Sequence, residues 1–247
     1  LGLRLVLGDT ASPRETASYG VYAVSDPIAR RYLGAVSFHS WGGGTLADFT
    51  AWQALARRIG QPLLIMEAGL DAEAWRTPHV LDYPLYAIRE AAHYLQLLAQ
   101  AQPQAILIWE YSDDYPLLRT IREGEGSVRL EETVRYCFLE QIIRLTPRNA
   151  EILNAVAGRA ETAVALRGRT AEGTNRWVFH AVNQSGARTV EILGVPIRWR
   201  YRAIIRDTSG KETRPEVEET GGRITLMAPP WSLLSVIGDS PGEDVGR

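Results

Sequence analysis

Four apolar runs in the first half of the chain each end in residues that could do chemistry. Leu63-Leu64-Ile65-Met66 ends on Glu67, with Gly69 two residues on and Trp75 shortly after. "AVSF" ends on His39 and Trp41, "AILI" ends on Trp109, Glu110 and Tyr111, and "LRLVLG" ends on Asp9. A carboxylate at the end of a buried run can act as nucleophile or as acid and base once its surroundings fix its protonation. Trp and Tyr offer flat apolar faces with a polar edge, which suits interfaces and sugar rings. Each residue also has a plainer reading. Glu67 could be a solvated carboxylate at a loop start, His39 could bond a backbone carbonyl, and Trp109 could be core. Asp113 and Asp114 read as loop caps. Glu110, by strand alternation, points away from Trp109.

The elements that must position these residues follow from periodicity. Apolar strand runs at 3–7, 35–39, 63–67 and 105–110 alternate with helical patterns. In one, Leu46, Phe49, Trp52, Leu55 and Ile59 share a face; in the next, Leu85, Ile88, Ala92, Leu95 and Ala99 do. Asp26 and Pro27 open a short helix over 26–33, and Val134, Phe138, Ile142 and Leu145 mark the last one. The order βαβαβαβα with nearly all-apolar strands predicts a parallel sheet, either half of a (β/α)8 barrel or a small open sheet. In a barrel the C-terminal strand ends converge on one mouth, where active sites sit. After Pro147 the pattern changes. Strand-like segments separated by turn signals such as "NQSG" and "DTSGK" predict an antiparallel β-sandwich of roughly seven to eight strands. The expected division is 1–147 for the α/β part, 148–240 for the sandwich and 241–247 for a tail.

Composition narrows the function classes. The 247 residues are 45% hydrophobic and 23% charged, ordinary values for a chain with a real core. A net charge of −2 argues against a nucleic-acid partner. Seven Trp and ten Tyr against four Phe is a skewed aromatic set. The single cysteine, Cys137, excludes an intramolecular disulfide. No run is long enough for a membrane span. His39, His79, His93 and His180 fall in four different elements without ligand spacing, so neither a metal nor a cofactor is expected. There is no G-x-S-x-G elbow, and "SGKE" and "WGGGT" do not complete a phosphate or dinucleotide loop. The opening "LGLRLVL" starts in mid-strand on Leu1, and the natural N-terminus is expected upstream of it.

"AVSFHSW", "PLLIMEAG" and "AILIWEY", in this order, resemble the sixth, seventh and eighth strands of the clan A glycoside hydrolases. The resemblance is strongest to glycoside hydrolase family 30 and similar families with an attached β-sandwich. "DPIARRYLGAVSFHSW" resembles the passage into strand six, and "LMAPPWSLLSVIG" the closing strand of the sandwich. The resemblance implies the second half of a TIM barrel, strands five to eight, followed by a sandwich. It implies a retaining glycosidase of β-linked glycosides with Glu67 as nucleophile. His39, Trp41, Trp109, Trp75, Tyr111 and Asp9 would bind a carbohydrate substrate. Extracellular or periplasmic placement goes with the family. Two departures stand out. Trp41 replaces the more usual Tyr, and the acid/base Glu of strand four, normally after an Asn, would lie upstream of Leu1. Retaining enzymes need both carboxyl groups, about 5–5.5 Å apart, so these residues alone are expected to be inactive. The alternatives are a non-catalytic carbohydrate-binding protein derived from such an enzyme, and an open-sheet hydrolase using Asp9 or Glu67.

Overall fold

The computed structural model describes residues 2–70, 73–112, 114–124, 126–153 and 161–241. Leu1, Asp113 and tail residues 242–247 lie outside them. The chain divides into two compact units, Leu1–Val80 with Gln96–Pro116, and Leu81–Leu95 with Leu117–Arg247.

The first unit is built on four parallel strands in sequential order, β1 (Leu5–Thr10), β2 (Leu33–His39), β3 (Leu63–Ala68) and β4 (Ala105–Ile108). This is the arrangement the apolar runs require, because crossover helices bring successive strands back side by side. Val36, Phe38, Leu63 and Ile65 are buried in the sheet. Helix α3 (Leu46–Ile59) adds Phe49 and Trp52 to the same core, and the Phe38 ring lies 5.6 Å from that of Trp52 and 6.0 Å from that of Phe49. Burying each such side chain stabilises the fold by roughly 1.5–3 kcal/mol. Thr45 and Asp48 form a reciprocal capping box that starts α3 where the sequence pattern places it.

Two features of this unit depart from expectation. Helix α1 (Ala17–Ser25) was not anticipated. Its sequence "ASYGVYAVS" carries a glycine and two valines, and Thr16 supplies no side-chain cap bond. The short helix α2 is confined to Pro27–Arg30, capped by Asp26, and Leu33 already belongs to β2. Strand β1 is the outer strand of its sheet, with Leu5 and Val6 exposed; Tyr19, Val21 and Tyr22 of α1 are exposed too.

The second unit holds helices α4 (Pro84–Gln96, through Leu95) and α5 (Val134–Leu145), a hairpin of β5 (Leu118–Arg122) and β6 (Val128–Glu132), and nine further strands. These are β7 (Glu151–Leu153), β8 (Glu161–Arg169), β9 (Asn175–Asn183), β10 (Arg188–Leu193), β11 (Arg200–Arg206), β12 (Glu212–Thr213), β13 (Glu219–Thr220), β14 (Arg223–Ala228) and β15 (Ser232–Asp239). They form an antiparallel six-stranded sheet, β12-β11-β15-β9-β8-β7, and an antiparallel three-stranded sheet, β10-β14-β13. One core takes Trp177, Ile205, Leu234 and Val236 from the larger sheet and Val190, Ile192, Ile224 and Leu226 from the smaller. The count exceeds the expected seven to eight because β12 and β13 are two-residue pairings. Among the described residues no helix is long and apolar enough to cross a membrane.

Polar groups fix how α5 meets the larger sheet. Gln141 Nε2 donates to Ser235 Oγ at 2.8 Å, and His180 reaches Ser235 Oγ through Nδ1 at 2.8 Å and Thr146 Oγ1 through Nε2 at 3.1 Å. Burial pushes His180 down from 6.5 to about 3. The folded state therefore binds no proton there between pH 6.5 and about 3, while the unfolded chain does. Stability is full above pH 6.5 and falls as the pH drops, by up to about 1.4 kcal/mol per pH unit from this group. Urea titrations from pH 7 to pH 4 will show a shallower loss for His180→Asn than for the unmodified protein. Equal slopes would contradict this.

Candidate active site

Four of the residues singled out in the sequence meet at the C-terminal ends of three adjacent strands. His39 and Glu67 are register partners across β2 and β3, just past a register shift. His39 Nδ1 lies 3.1 Å from Glu67 Oε2, and Trp41 Nε1 donates to the same oxygen at 3.1 Å. On its other side, His39 Nε2 lies 2.8 Å from Asp9 Oδ1. Side-chain exposure is 15% for His39, 30% for Glu67 and 56% for Asp9. The array is thus most open at Asp9 and most enclosed at the imidazole. The Trp41 hydrogen bond and the close approach of the His39 ring both fall on Glu67 Oε2.

The backbone explains how each group is aimed. Ser40 donates its N–H to the Glu67 carbonyl at 3.0 Å, Gly69 N–H donates to Ser40 Oγ at 3.1 Å, and Ser40 Oγ donates to the Gly69 carbonyl at 3.0 Å. This clasp ties the end of β2 to the end of β3. A Cβ on Gly69 would lie 2.5 Å from Trp41 Cζ3 and 2.7 Å from Cη2, so the indole can lie on this backbone only because residue 69 has no side chain. Trp41 also packs against Tyr115, with ring centroids 5.4 Å apart, and Tyr115 Oη accepts the Ala74 N–H at 3.0 Å. In β1, Gly8 at φ 109° and Asp9 at φ 56° make the shift that takes Asp9 out of the ladder. Asp9 N–H then donates to Ser37 Oγ at 3.2 Å.

Substituting Gly69 by alanine should push Trp41 aside and break its bond to Glu67 while leaving the strands intact. The check is the Trp41 indole N–H resonance in a ¹H–¹⁵N spectrum. It will leave its hydrogen-bonded position in Gly69→Ala, whereas most backbone amides stay put. An unmoved indole signal would contradict the packing described.

The remaining aromatic candidates are exposed. Trp109 follows β4 directly and donates its N–H to the Ala68 carbonyl at 3.0 Å; the Trp109–Glu110 peptide is cis. Glu110 turns into its own loop, where Oε1 accepts the Asp114 N–H at 3.1 Å. Tyr111 is exposed, as is Trp75, whose ring lies under the Arg76 guanidinium at 4.3 Å from the centroid. The hydrogen bonds and ring contacts described do not join Trp75, Trp109 or Tyr111 to the Glu67 carboxylate.

Ser40 and Tyr115 were missed in the sequence. Ser40 stands between His39 and Trp41, where alternation alone assigns it to the opposite side. Tyr115 precedes Pro116 in a loop and carried no periodic signal. Among the described residues no cluster of His, Cys, Asp and Glu could hold a metal ion.

No protein-family model matches the chain, and no curated protein matches it in sequence. Solved structures do match in fold. A glycoside hydrolase family 30 subfamily 8 xylanase from Clostridium acetobutylicum aligns with a TM-score of 0.73 at 14% identity, over 96% of this chain and 56% of that one. An endoxylanase of the same family from Clostridium papyrosolvens gives the same four values. A family 51 alpha-L-arabinofuranosidase from Bifidobacterium longum aligns with a TM-score of 0.63 at 15% identity, over 96% of this chain and 60% of that one. The chain therefore has a glycosidase-like fold, similar to clan A enzymes, and it spans little more than half the length of these structures. The likeness is one of structure at low identity.

Proposed function

We propose that the chain is part of a retaining glycoside hydrolase acting on β-linked glycosides, with Glu67 as its nucleophile. The observation that carries this reading is a carboxylate at a rigid strand end, one oxygen of which accepts the Trp41 indole N–H and lies 3.1 Å from the His39 ring. With Oε2 occupied, Oε1 is the oxygen that attacks the anomeric carbon. The bond from that carbon to the leaving-group oxygen breaks, and a second carboxylic acid gives that oxygen its proton. A covalent glycosyl ester forms on Glu67. Water, deprotonated by the second carboxylate, then displaces Glu67 and restores the original anomeric configuration.

Within this reading, residues 1–147 are the second half of a (β/α)8 barrel, strands five to eight, 148–240 a β-sandwich and 241–247 a tail. The exposed apolar surface on β1 and α1 supports it, since a parallel sheet is ordinarily covered at such a face. The proton donor would stand on a preceding strand four, so residues 1–247 alone would not turn over substrate. Trp109, Trp75, Tyr111 and the Asp9 carboxylate would meet sugar faces and hydroxyls. The test is product analysis on a chain extended upstream. Proton NMR of freshly cleaved β-xylo- or β-gluco-oligosaccharide should show the β-anomer first. An α-anomer as first product would exclude the retaining mechanism. Binding without any cleavage would favour a non-catalytic carbohydrate-binding protein.

A further inference from the structure

The register of β2 against β3 shifts between Phe38 and His39, and the paired residues end at His39 and Glu67. The chain beyond that point stays bonded through one residue. Ser40 N–H donates to the Glu67 carbonyl at 3.0 Å. Ser40 Oγ accepts the Gly69 N–H at 3.1 Å and donates to the Gly69 carbonyl at 3.0 Å. On the β4 side, Trp109 N–H donates to the Ala68 carbonyl at 3.0 Å. The hydroxyl thus does for Gly69 what an opposing residue does in a sheet, supplying one donor and one acceptor. Ser40 is only 1% exposed and Gly69 is buried too. Without the hydroxyl, the Gly69 N–H and carbonyl would have to find new partners away from water, which drives the peptide to shift.

A shift of Gly69 would reach the carboxylate through Trp41. The indole lies on Gly69 so closely that a Cβ there would stand 2.5 Å from Cζ3 and 2.7 Å from Cη2. The same indole donates Nε1–H to Glu67 Oε2 at 3.1 Å. Ser40 therefore holds the site twice. Its hydroxyl fixes the surface on which Trp41 rests, and its backbone N–H fixes the peptide of the residue that carries the carboxylate. A plainer role is that Ser40 only closes a strand end. Its loss would then cost stability and leave the bond from Trp41 to Glu67 as it is.

We infer that Ser40 is a positioning residue for Glu67, acting through Gly69 on Trp41 and through its own N–H on the strand end. The hydroxyl keeps the indole N–H aimed at Oε2, and the aimed indole keeps Oε1 turned to the reacting carbon. Reaction rates depend steeply on such placement, because a nucleophile must be held in line and in contact with the atom it attacks. The catalytic consequence rests on the reading of Glu67 as nucleophile; the effect on Trp41 rests on the geometry alone.

The test is hydrogen exchange and ¹H–¹⁵N correlation spectra of the ¹⁵N-labelled chain. In the unmodified protein the Gly69 amide should exchange as slowly as the amides inside β2 and β3. Exchange as fast as that of exposed loop amides overturns the inference without recourse to any variant. In Ser40→Ala, which keeps the backbone N–H, the Trp41 indole signal should leave its hydrogen-bonded position while the amides of β8 to β15 stay put. An unmoved indole signal overturns the inference and leaves Ser40 a stabilising contact only. Ser40→Thr keeps the hydroxyl and should keep the indole signal near its original place; a displacement as large as in Ser40→Ala would overturn the part given to the hydroxyl. In the upstream-extended chain, Ser40→Ala should lower kcat roughly tenfold with KM little changed, and Ser40→Thr should recover part of that loss. A KM effect alone would overturn the positioning role. An indole displaced by Ser40→Ala in a protein that never forms a glycosyl ester on Glu67 would uphold the positioning of Trp41 and defeat the glycosidase reading.

Discussion

In a chain extended upstream to carry both carboxyl groups, Glu67→Gln will abolish hydrolysis and leave sugar binding largely intact. The amide has nearly the size of the carboxylate. Its carbonyl oxygen can accept the Trp41 indole N–H now held by Oε2 at 3.1 Å, so the array and the strand end should survive. What is lost is the nucleophile, because a neutral amide does not form the glycosyl ester. The expected loss is about four orders of magnitude or more in kcat, or roughly 5 kcal/mol of barrier at about 1.4 kcal/mol per tenfold. Steady-state kinetics and calorimetric titration with an uncleaved oligosaccharide check the two halves of the claim. Near-normal turnover would remove Glu67 from its role.

The largest stability effect is expected at a buried ion pair in the second unit. Arg135 of α5 meets Glu90 of α4 through two parallel bonds, Nε to Oε2 at 2.7 Å and Nη2 to Oε1 at 2.8 Å, and both side chains are almost fully buried. Tyr94 donates to Glu90 Oε1 at 3.2 Å, and the Tyr86 ring lies 5.7 Å from the guanidinium. Burial works against the Arg135 charge, but the Glu90 carboxylate outweighs it and the net shift of Arg135 is upward. Removing one partner strands the other charge away from water. Glu90→Ala should therefore destabilise the protein by about 3–5 kcal/mol. The paired replacement Glu90→Leu with Arg135→Met should recover most of that, since well-packed apolar residues can replace a buried pair at little cost. Guanidinium unfolding followed by circular dichroism measures both. A double variant as unstable as Glu90→Ala would contradict the explanation.

What could be read from the sequence and what could not divide along physical lines. The four parallel strands and their order were legible because each is a short, mostly apolar run, and helix α3 because its apolar residues recur at the helical period. Asp9, His39, Trp41 and Glu67 stood out because each follows such a run. Their pairing did not, because it depends on the positive φ of Gly8 and Asp9 and on the close approach of Trp41 to Gly69. The hairpin β5–β6 was missed because "LRTIR" and "VRLEE" set few apolar residues among charges and bury no face fully. Helix α1 was missed because its sequence has weak helix propensity. Glu90 and Arg135 gave no signal, since two helices 45 residues apart must pack before their charges can meet.

The measurement that tests the central claim most directly is covalent labelling of the upstream-extended protein. The probe is a 2-deoxy-2-fluoro-β-glycoside with an activated leaving group, tried as the xylobioside and the cellobioside. Fluorine slows both steps, and the activated leaving group departs without a proton donor, so the glycosyl ester accumulates. Peptide mass spectrometry should place the sugar on the peptide carrying Glu67 and nowhere else, and Glu67→Gln should take up none. A label on Asp9 or Glu110, or time-dependent inactivation that persists in Glu67→Gln, would contradict the account.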